Sequence, residues 1–263
     1  MIREIREKRE IPKTREIEFE GIEGKFKIEQ IKRLGIGGEA EVFQCRLLGP
    51  AKEIEIIASK RYSGDAPQVF ISNLICYLID EYARKNGEYQ HQHVPTPIGV
   101  CKGKITTAYL YKYVKGRDGF SWVYPEREGK RDVKLMEWDK FVGFFYSAGI
   151  DISYDTTDAL YANTSKNVVL EDYDYNKVLK TGQLSPHWMR IDYGSRSIQI
   201  YPERLMEFVK ENKKDLKEKL GWKAKFLEYL VSLKKEKDPE IQKTKLLERP
   251  EFLKKHLEEV LKE

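Results

Sequence analysis

Alternation of apolar and polar residues dominates the first part of the chain. Residues 25–34 and 41–48 read as strands flanking a glycine cluster, and Gly49-Pro50 marks a turn after the second. A third strand covers 53–62, where Ile54, Ile56 and Ala58 alternate imperfectly with Glu55 and Ile57. One short strand, 17–22, is expected ahead of these. The apolar spacing then becomes helical over 69–85, and Asn86-Gly87 marks the stop. Pro95 and Pro97 open an extended piece at 98–101, and the Tyr-, Thr- and Val-rich stretch 106–114 reads as a further strand.

After Gly116 the texture changes. Gly, Pro and charged residues fill 117–131, as in an exposed insertion. A helix rich in aromatics is expected over 135–147, short apolar strands at 168–170 and 190–191, and three or four amphipathic helices over 203–263. Strands therefore crowd the first ~115 residues and helices the rest, which predicts an α+β chain and not an alternating βαβ one. The expected divisions are an extension (1–24), an antiparallel sheet plus one helix (25–114), and a compact helical part (115–263) carrying an insertion at 117–134.

Composition narrows this picture. With 263 residues and 40% hydrophobic content the chain can bury a sizeable core without staples. No stretch approaches the ~20 apolar residues that cross a bilayer, and the charged start, Met1 to Glu10, lacks an apolar signal region. Cys45, Cys76 and Cys101 are scattered and odd in number, which suits core thiols in a reducing cytoplasm. His91 and His93 read as a polar loop, without a zinc spacing. The 35% of charged residues, rich in Lys and Glu, is of the kind that forms ion-pair networks in thermophile proteins. Most of the net +5 sits from Lys210 to Glu263, where 16 Lys+Arg stand against 12 Asp+Glu (16 − 12 = +4). Those signs are interspersed, which suits solvated helix faces better than a track for phosphates, so nucleic acid is not an expected partner.

The candidate chemistry begins at Leu34-Gly35-Ile36-Gly37-Gly38-Glu39-Ala40-Glu41-Val42. A glycine turn between antiparallel strands lets backbone N–H groups close over phosphates, because no Cβ blocks the approach. Val42 would pack under an adenine ring. Lys60, ending the Ala58-Ser59-Lys60 strand, can reach a nucleotide's α- and β-phosphates. Glu81 on the following helix could fix that ammonium. Further on, an apolar strand delivers Asp192 in Asp192-Tyr193-Gly194, where a carboxylate can hold a hard cation. Asn167, just ahead of 168–170, can supply a second oxygen to magnesium.

In this order the segments resemble the protein-kinase-like superfamily over residues 25–200. Gly35, Gly37 and Ala40 match its glycine-loop positions, with Ile36 and Gly38 between them and Val42 after. Lys60 resembles its strand lysine and Glu81 its helix glutamate. Tyr109 to Gly116, with Tyr111 and Tyr113, resembles the strand entering the interlobe hinge. Asp192-Tyr193-Gly194 resembles the metal-binding Asp-Phe-Gly, and Asn167 the catalytic-loop asparagine. The resemblance implies a two-lobed kinase-like fold, ATP and Mg2+ as cofactors, and an acceptor hydroxyl on a protein or small molecule.

Two departures accompany it. The family's aspartate should stand five residues before the asparagine, but that position is Ala162. Asp158, five before Asn163, and Asp155, six past Gly149, are the two candidates for the base. Only 69 residues follow Gly194, and no Ala-Pro-Glu is found. This is similar to the RIO-type and aminoglycoside-phosphotransferase-type branches. The expected activity is phosphotransfer, with a pseudokinase scaffold as the alternative.

Overall fold

The protein is described here from a computed structural model, which covers residues 13–36, 40–48, 53–61, 65–102, 107–113, 116–118, 137–152, 168–171, 188–190 and 198–262. Six antiparallel strands form the N-terminal sheet: β1 (Lys13–Ile17), β2 (Phe26–Ile36), β3 (Ala40–Leu48), β4 (Glu53–Arg61), β5 (Pro97–Lys102) and β6 (Thr107–Lys112). Their order is β1-β2-β3-β4-β6-β5. A single helix, α1 (Ala66–Lys85), connects β4 to β5. The chain is thus α+β, with a curled antiparallel sheet first and a helical part after it.

The curl has a visible cause. The strand expected over 17–22 forms instead at Lys13–Ile17, paired with Phe26–Gln30 of β2. The next residues cross to the far edge of the sheet. Phe19 bridges Cys101 of β5, and Glu20 N–H donates to Val100 O at 2.8 Å. Phe19 is buried against Gly99, where an added Cβ would fall 2.6 Å from its ring. A side chain at 99 would push that ring out and open the closure.

Side chains alternate between the two faces of a pleated sheet, so directly opposed residues share a face. Phe43, Ala58 and Leu110 oppose one another, and with Phe19, Leu47 and Ile56 they make the inner cluster. The alternate row holds Val42, Ser59 and Tyr109. Val42, Tyr109 and Tyr111 pack with α1 in the larger cluster. Helix α1 is buried from Val69 through Ala83, the mark of a helix enclosed on all sides.

What encloses α1 is the second part of the chain. Helix α2 (Trp138–Ser147) is followed by the short strands β8 (Ile150–Asp151), β9 (Val168–Glu171), β10 (Trp188–Arg190) and β11 (Gln199–Ile200). β9 lies between β10 and β7 (Gly116–Asp118), and β11 pairs with β8. Five helices close the chain, where three or four were expected: α3 (Pro202–Glu211), α4 (Lys213–Leu220), α5 (Trp222–Lys234), α6 (Pro239–Leu247) and α7 (Pro250–Lys262). Gly221, at φ +60, breaks α4 from α5, while Pro239 and Pro250 begin α6 and α7. Asp238 caps α6 by accepting from Glu240 N at 2.8 Å. The larger core runs from β6 through α1 into α2 and α3–α7, so it crosses the boundary expected near residue 114 without a break. Fully buried Leu, Ile and Phe side chains such as Leu74, Phe141 and Leu227 each contribute roughly 1.5–3 kcal/mol to that joint.

Among the described residues no helix is long and apolar enough to cross a membrane. All three cysteines are buried, and none of them forms a disulfide.

Candidate functional site

The glycine-rich segment follows β2 after Ile36, and the register defines what stands beside that end of the strand. Ile36 opposes Glu41, Glu41 opposes Lys60, and Lys60 opposes Ala108. Neighbouring strands lie ≈ 4.7–4.9 Å apart, so the backbone of Lys60 is about 10 Å from that of Ile36, at the same end of the sheet. Gly35, Ile36 and Lys60 are described through their backbone. Gly37 and Gly38 lie outside the described residues. Ala40 is buried where β3 begins, opposite Arg61.

A second ladder concerns the expected metal ligands. β9 and β10 run antiparallel, with Val168 opposite Arg190. Asn167 directly precedes Val168, and Asp192 follows Arg190 by two positions. Val168 and Arg190 thus stand at one end of this ladder, and the expected ligands that adjoin them in sequence are both oxygen donors suited to a hard cation. Asn167 and Asp192 themselves lie outside the described residues, as do Asp155, Asp158 and most of the insertion at 117–134.

Two expectations about the nucleotide site do not match the geometry. Val42 and Ala58, the residue two before Lys60 that the resemblance also counts among the nucleotide-binding positions, occupy alternate rows. Val42 packs toward α1 and Ala58 into the inner cluster. The structure does not bring them together. Glu81 was expected to pair with Lys60. Instead its Oε1 accepts from Lys85 Nζ at 2.7 Å and its Oε2 from Lys223 Nζ at 2.9 Å. Burial pushes the Glu81 carboxyl up, and the hydrogen bonds from these two ammoniums outweigh that, leaving its pKa below the ordinary value.

The reason is position along α1. Phe70 is the α1 ring that meets the glycine-turn end, 6.2 Å from the Tyr109 ring, and Tyr109 opposes Ser59, next to Lys60. Glu81 stands eleven residues further on (81 − 70), about 16 Å along the axis at 1.5 Å per residue. Tyr111 is buried and stacks on Tyr109 at 5.1 Å, opposite Ile57. Tyr113 leaves β6 half-buried, its N–H donating to Glu55 O at 3.0 Å, where the hinge was expected.

The far end of α1 carries a buried polar network. Asp80 has no exposure and accepts from Arg84 Nε at 3.0 Å, Tyr89 Oη at 3.1 Å and His93 N at 3.1 Å. Burial pushes its carboxyl up to about 7, against the pull of Arg84, the His93 N–H and the Tyr89 hydroxyl. Glu137, just before α2, accepts from Gln90 N at 2.8 Å. Its Oε2 receives His91 Nδ1 at 3.1 Å and His93 Nε2 at 3.3 Å. Glu137 holds φ +62, the one non-glycine residue with positive φ among the described residues. This network ties α1, residues 89–93 and α2 together. Among the described residues no three His, Cys, Asp or Glu groups converge to hold a metal. The sequence signal for the network was present as Asp80 and Arg84 at i, i+4 within an apolar run, but Glu137 joins it from 44 to 47 residues beyond His93, His91 and Gln90.

Comparison with known proteins adds no relative: no protein-family model matches the chain, and no curated protein does either.

Proposed function

We propose that the chain is an atypical, protein-kinase-like phosphotransferase that binds ATP with Mg2+. The observation that carries this reading is the three-strand row Ile36–Glu41–Lys60. It brings the backbone entering a glycine turn and that of a lysine to one end of one sheet. The common ladder end of Val168 and Arg190, the described neighbours in sequence of Asn167 and Asp192, supports it independently.

In this reading the turn around Gly37 closes over the triphosphate through backbone N–H groups. Lys60 holds α- and β-phosphate oxygens. Asn167 and Asp192 hold magnesium through oxygen. Bound magnesium offsets the charge that builds on the transferring γ-phosphoryl group. Asp158 or Asp155 orients the acceptor hydroxyl and takes its proton. The acceptor is a protein hydroxyl or a small hydroxylated molecule.

A second reading is a nucleotide-binding scaffold without turnover. What favours it is Glu81, whose carboxylate is committed to Lys85 and Lys223 and so leaves Lys60 without the glutamate of an active kinase. Radiolabelled ATP separates the two. Phosphate release or transfer that needs Mg2+ and is abolished in Asp192→Asn supports the enzyme. Magnesium-dependent binding without release supports the scaffold. Absence of both removes each reading.

A further inference from the structure

β2 is longer than the strand that borders it. It runs from Phe26 to Ile36, but β1 pairs only with Phe26–Gln30, so on that side residues 31–36 present a free backbone edge among the described residues. Six residues make about 20 Å of unpaired N–H and C=O groups, a template for another strand. β3 occupies the other side, and its register slips twice, between Gln30 and Lys32 and between Arg33 and Gly35. Ile31 and Leu34 are the extra residues at these two bulges.

Bulges and charges ordinarily blunt an exposed edge. Here the bulged residues are apolar and turned to solvent. Ile31 is 39% exposed and Leu34 43%, and they are two of the four exposed large hydrophobic side chains among the described residues. Between them stand Lys32 and Arg33, both exposed. Arg33 reaches Glu41 at 3.4 Å, a surface pair that contributes little. Residues 31–36 include no acidic side chain.

We propose that residues 31–36 of β2 are a docking edge for an extended acidic peptide of a partner protein, which adds to the sheet as a strand beyond the end of β1. Backbone hydrogen bonds hold the peptide, its apolar side chains cover Ile31 and Leu34, and its carboxylates meet Lys32 and Arg33. The charges favour this occupant over a second copy of the chain. Two copies pairing along this edge would set Lys32 and Arg33 of one against those of the other, and like charges across a strand pair destabilise it. Docking here requires no nucleotide, so it stands or falls apart from the kinase-like reading.

The test is fluorescence anisotropy with a labelled, end-blocked octapeptide of alternating glutamate and valine, combined with backbone hydrogen exchange of the full chain. Saturable binding is expected, with slower exchange of those 31–36 amides that point away from β3. An octapeptide of alternating lysine and valine should bind at least ten-fold more weakly. The double variant Lys32→Glu, Arg33→Glu should reverse that preference, and it should melt close to the wild-type temperature because both side chains are exposed. Should it not fold, Lys32→Glu alone serves the same comparison. N-methylating the valines of the acidic peptide keeps its charge and removes backbone donors, so binding should be lost. No binding of the glutamate–valine peptide overturns the proposal. Binding without protection at 31–36 overturns it as well, since charge attraction elsewhere on the surface then accounts for the signal. Slow exchange of the outward 31–36 amides in the free chain has the same force, because the edge is then already covered by the chain itself or by a second copy.

Discussion

The two ends of α1 differ in how they use polar groups. In its last turns four charged residues, Asp80, Glu81, Arg84 and Lys85, all have partners, and these reach residues 89–93, α4 and α5. In its first half there is no charge, and one fully buried amide, that of Asn73, has no hydrogen-bond partner among the described residues. The first arrangement is that of an anchor, in which buried polar groups are held by fixed hydrogen bonds. The second is that of an apolar wall packed against the sheet, with one amide left unsatisfied within it. A single helix thus fastens the helical part of the chain at one end and borders the glycine-turn end of the sheet at the other.

Breaking the anchor should cost stability and leave ligand binding alone. The largest effect is expected from Asp80→Ala. It strands Arg84, the Tyr89 hydroxyl and the His93 N–H without their acceptor, and should lose about 3 kcal/mol or more in urea unfolding. Mg-ATP affinity at a temperature where the variant is folded should stay within a few-fold of wild type.

The same aspartate gives the comparison a pH signature. Its carboxyl is raised from 3.8 to about 7 in the fold, so the folded state holds this proton more tightly than the unfolded one. The stability it contributes is complete below about pH 3.8 and declines as pH rises through 7. Asp80→Asn mimics the protonated group at every pH. Unfolding free energies should therefore fall for wild type relative to Asp80→Asn between pH 4 and 7, by on the order of 1 kcal/mol per pH unit. A constant difference across that range would contradict the assignment.

A smaller effect is expected at the α5 contact. Lys223 is only 13% exposed, holds Glu81 at 2.9 Å and reaches Glu259 at 3.3 Å. Lys223→Met should lose about 2 kcal/mol, because Lys85 still pairs with Glu81. Chemical denaturation measures the loss. Nucleotide affinity should not change, and an increase on freeing Glu81 would show instead that Glu81 belongs to the nucleotide site.

Much of this architecture was legible in the residues. The strands over 25–48 and 53–62 and the helix before Asn86 were readable because alternation, glycine turns and helical spacing are local signals. The strand expected at 17–22 moved to Lys13–Ile17 because Phe19 gains more by closing the sheet against Gly99 and Cys101 than by pairing with β2. That choice depends on a segment 80 residues away. The alternate rows of Val42 and Ala58 follow from the register between β3 and β4, and a one-residue slip would reverse them. Glu81 was misread for a related reason. Spacing identifies a carboxylate on a helix but not which turn of that helix meets the sheet. Asn73 was visible as a polar residue in an apolar run, and only the packing around α1 shows it to be unpaired.

The most direct test of the central claim is a crystal structure of the full chain with a non-hydrolysable ATP analogue and Mg2+. The account predicts a triphosphate between the turn at 37–39 and Lys60, with the metal at Asn167 and Asp192. A nucleotide bound elsewhere, or Lys60 and Asp192 facing unrelated surfaces, would contradict it.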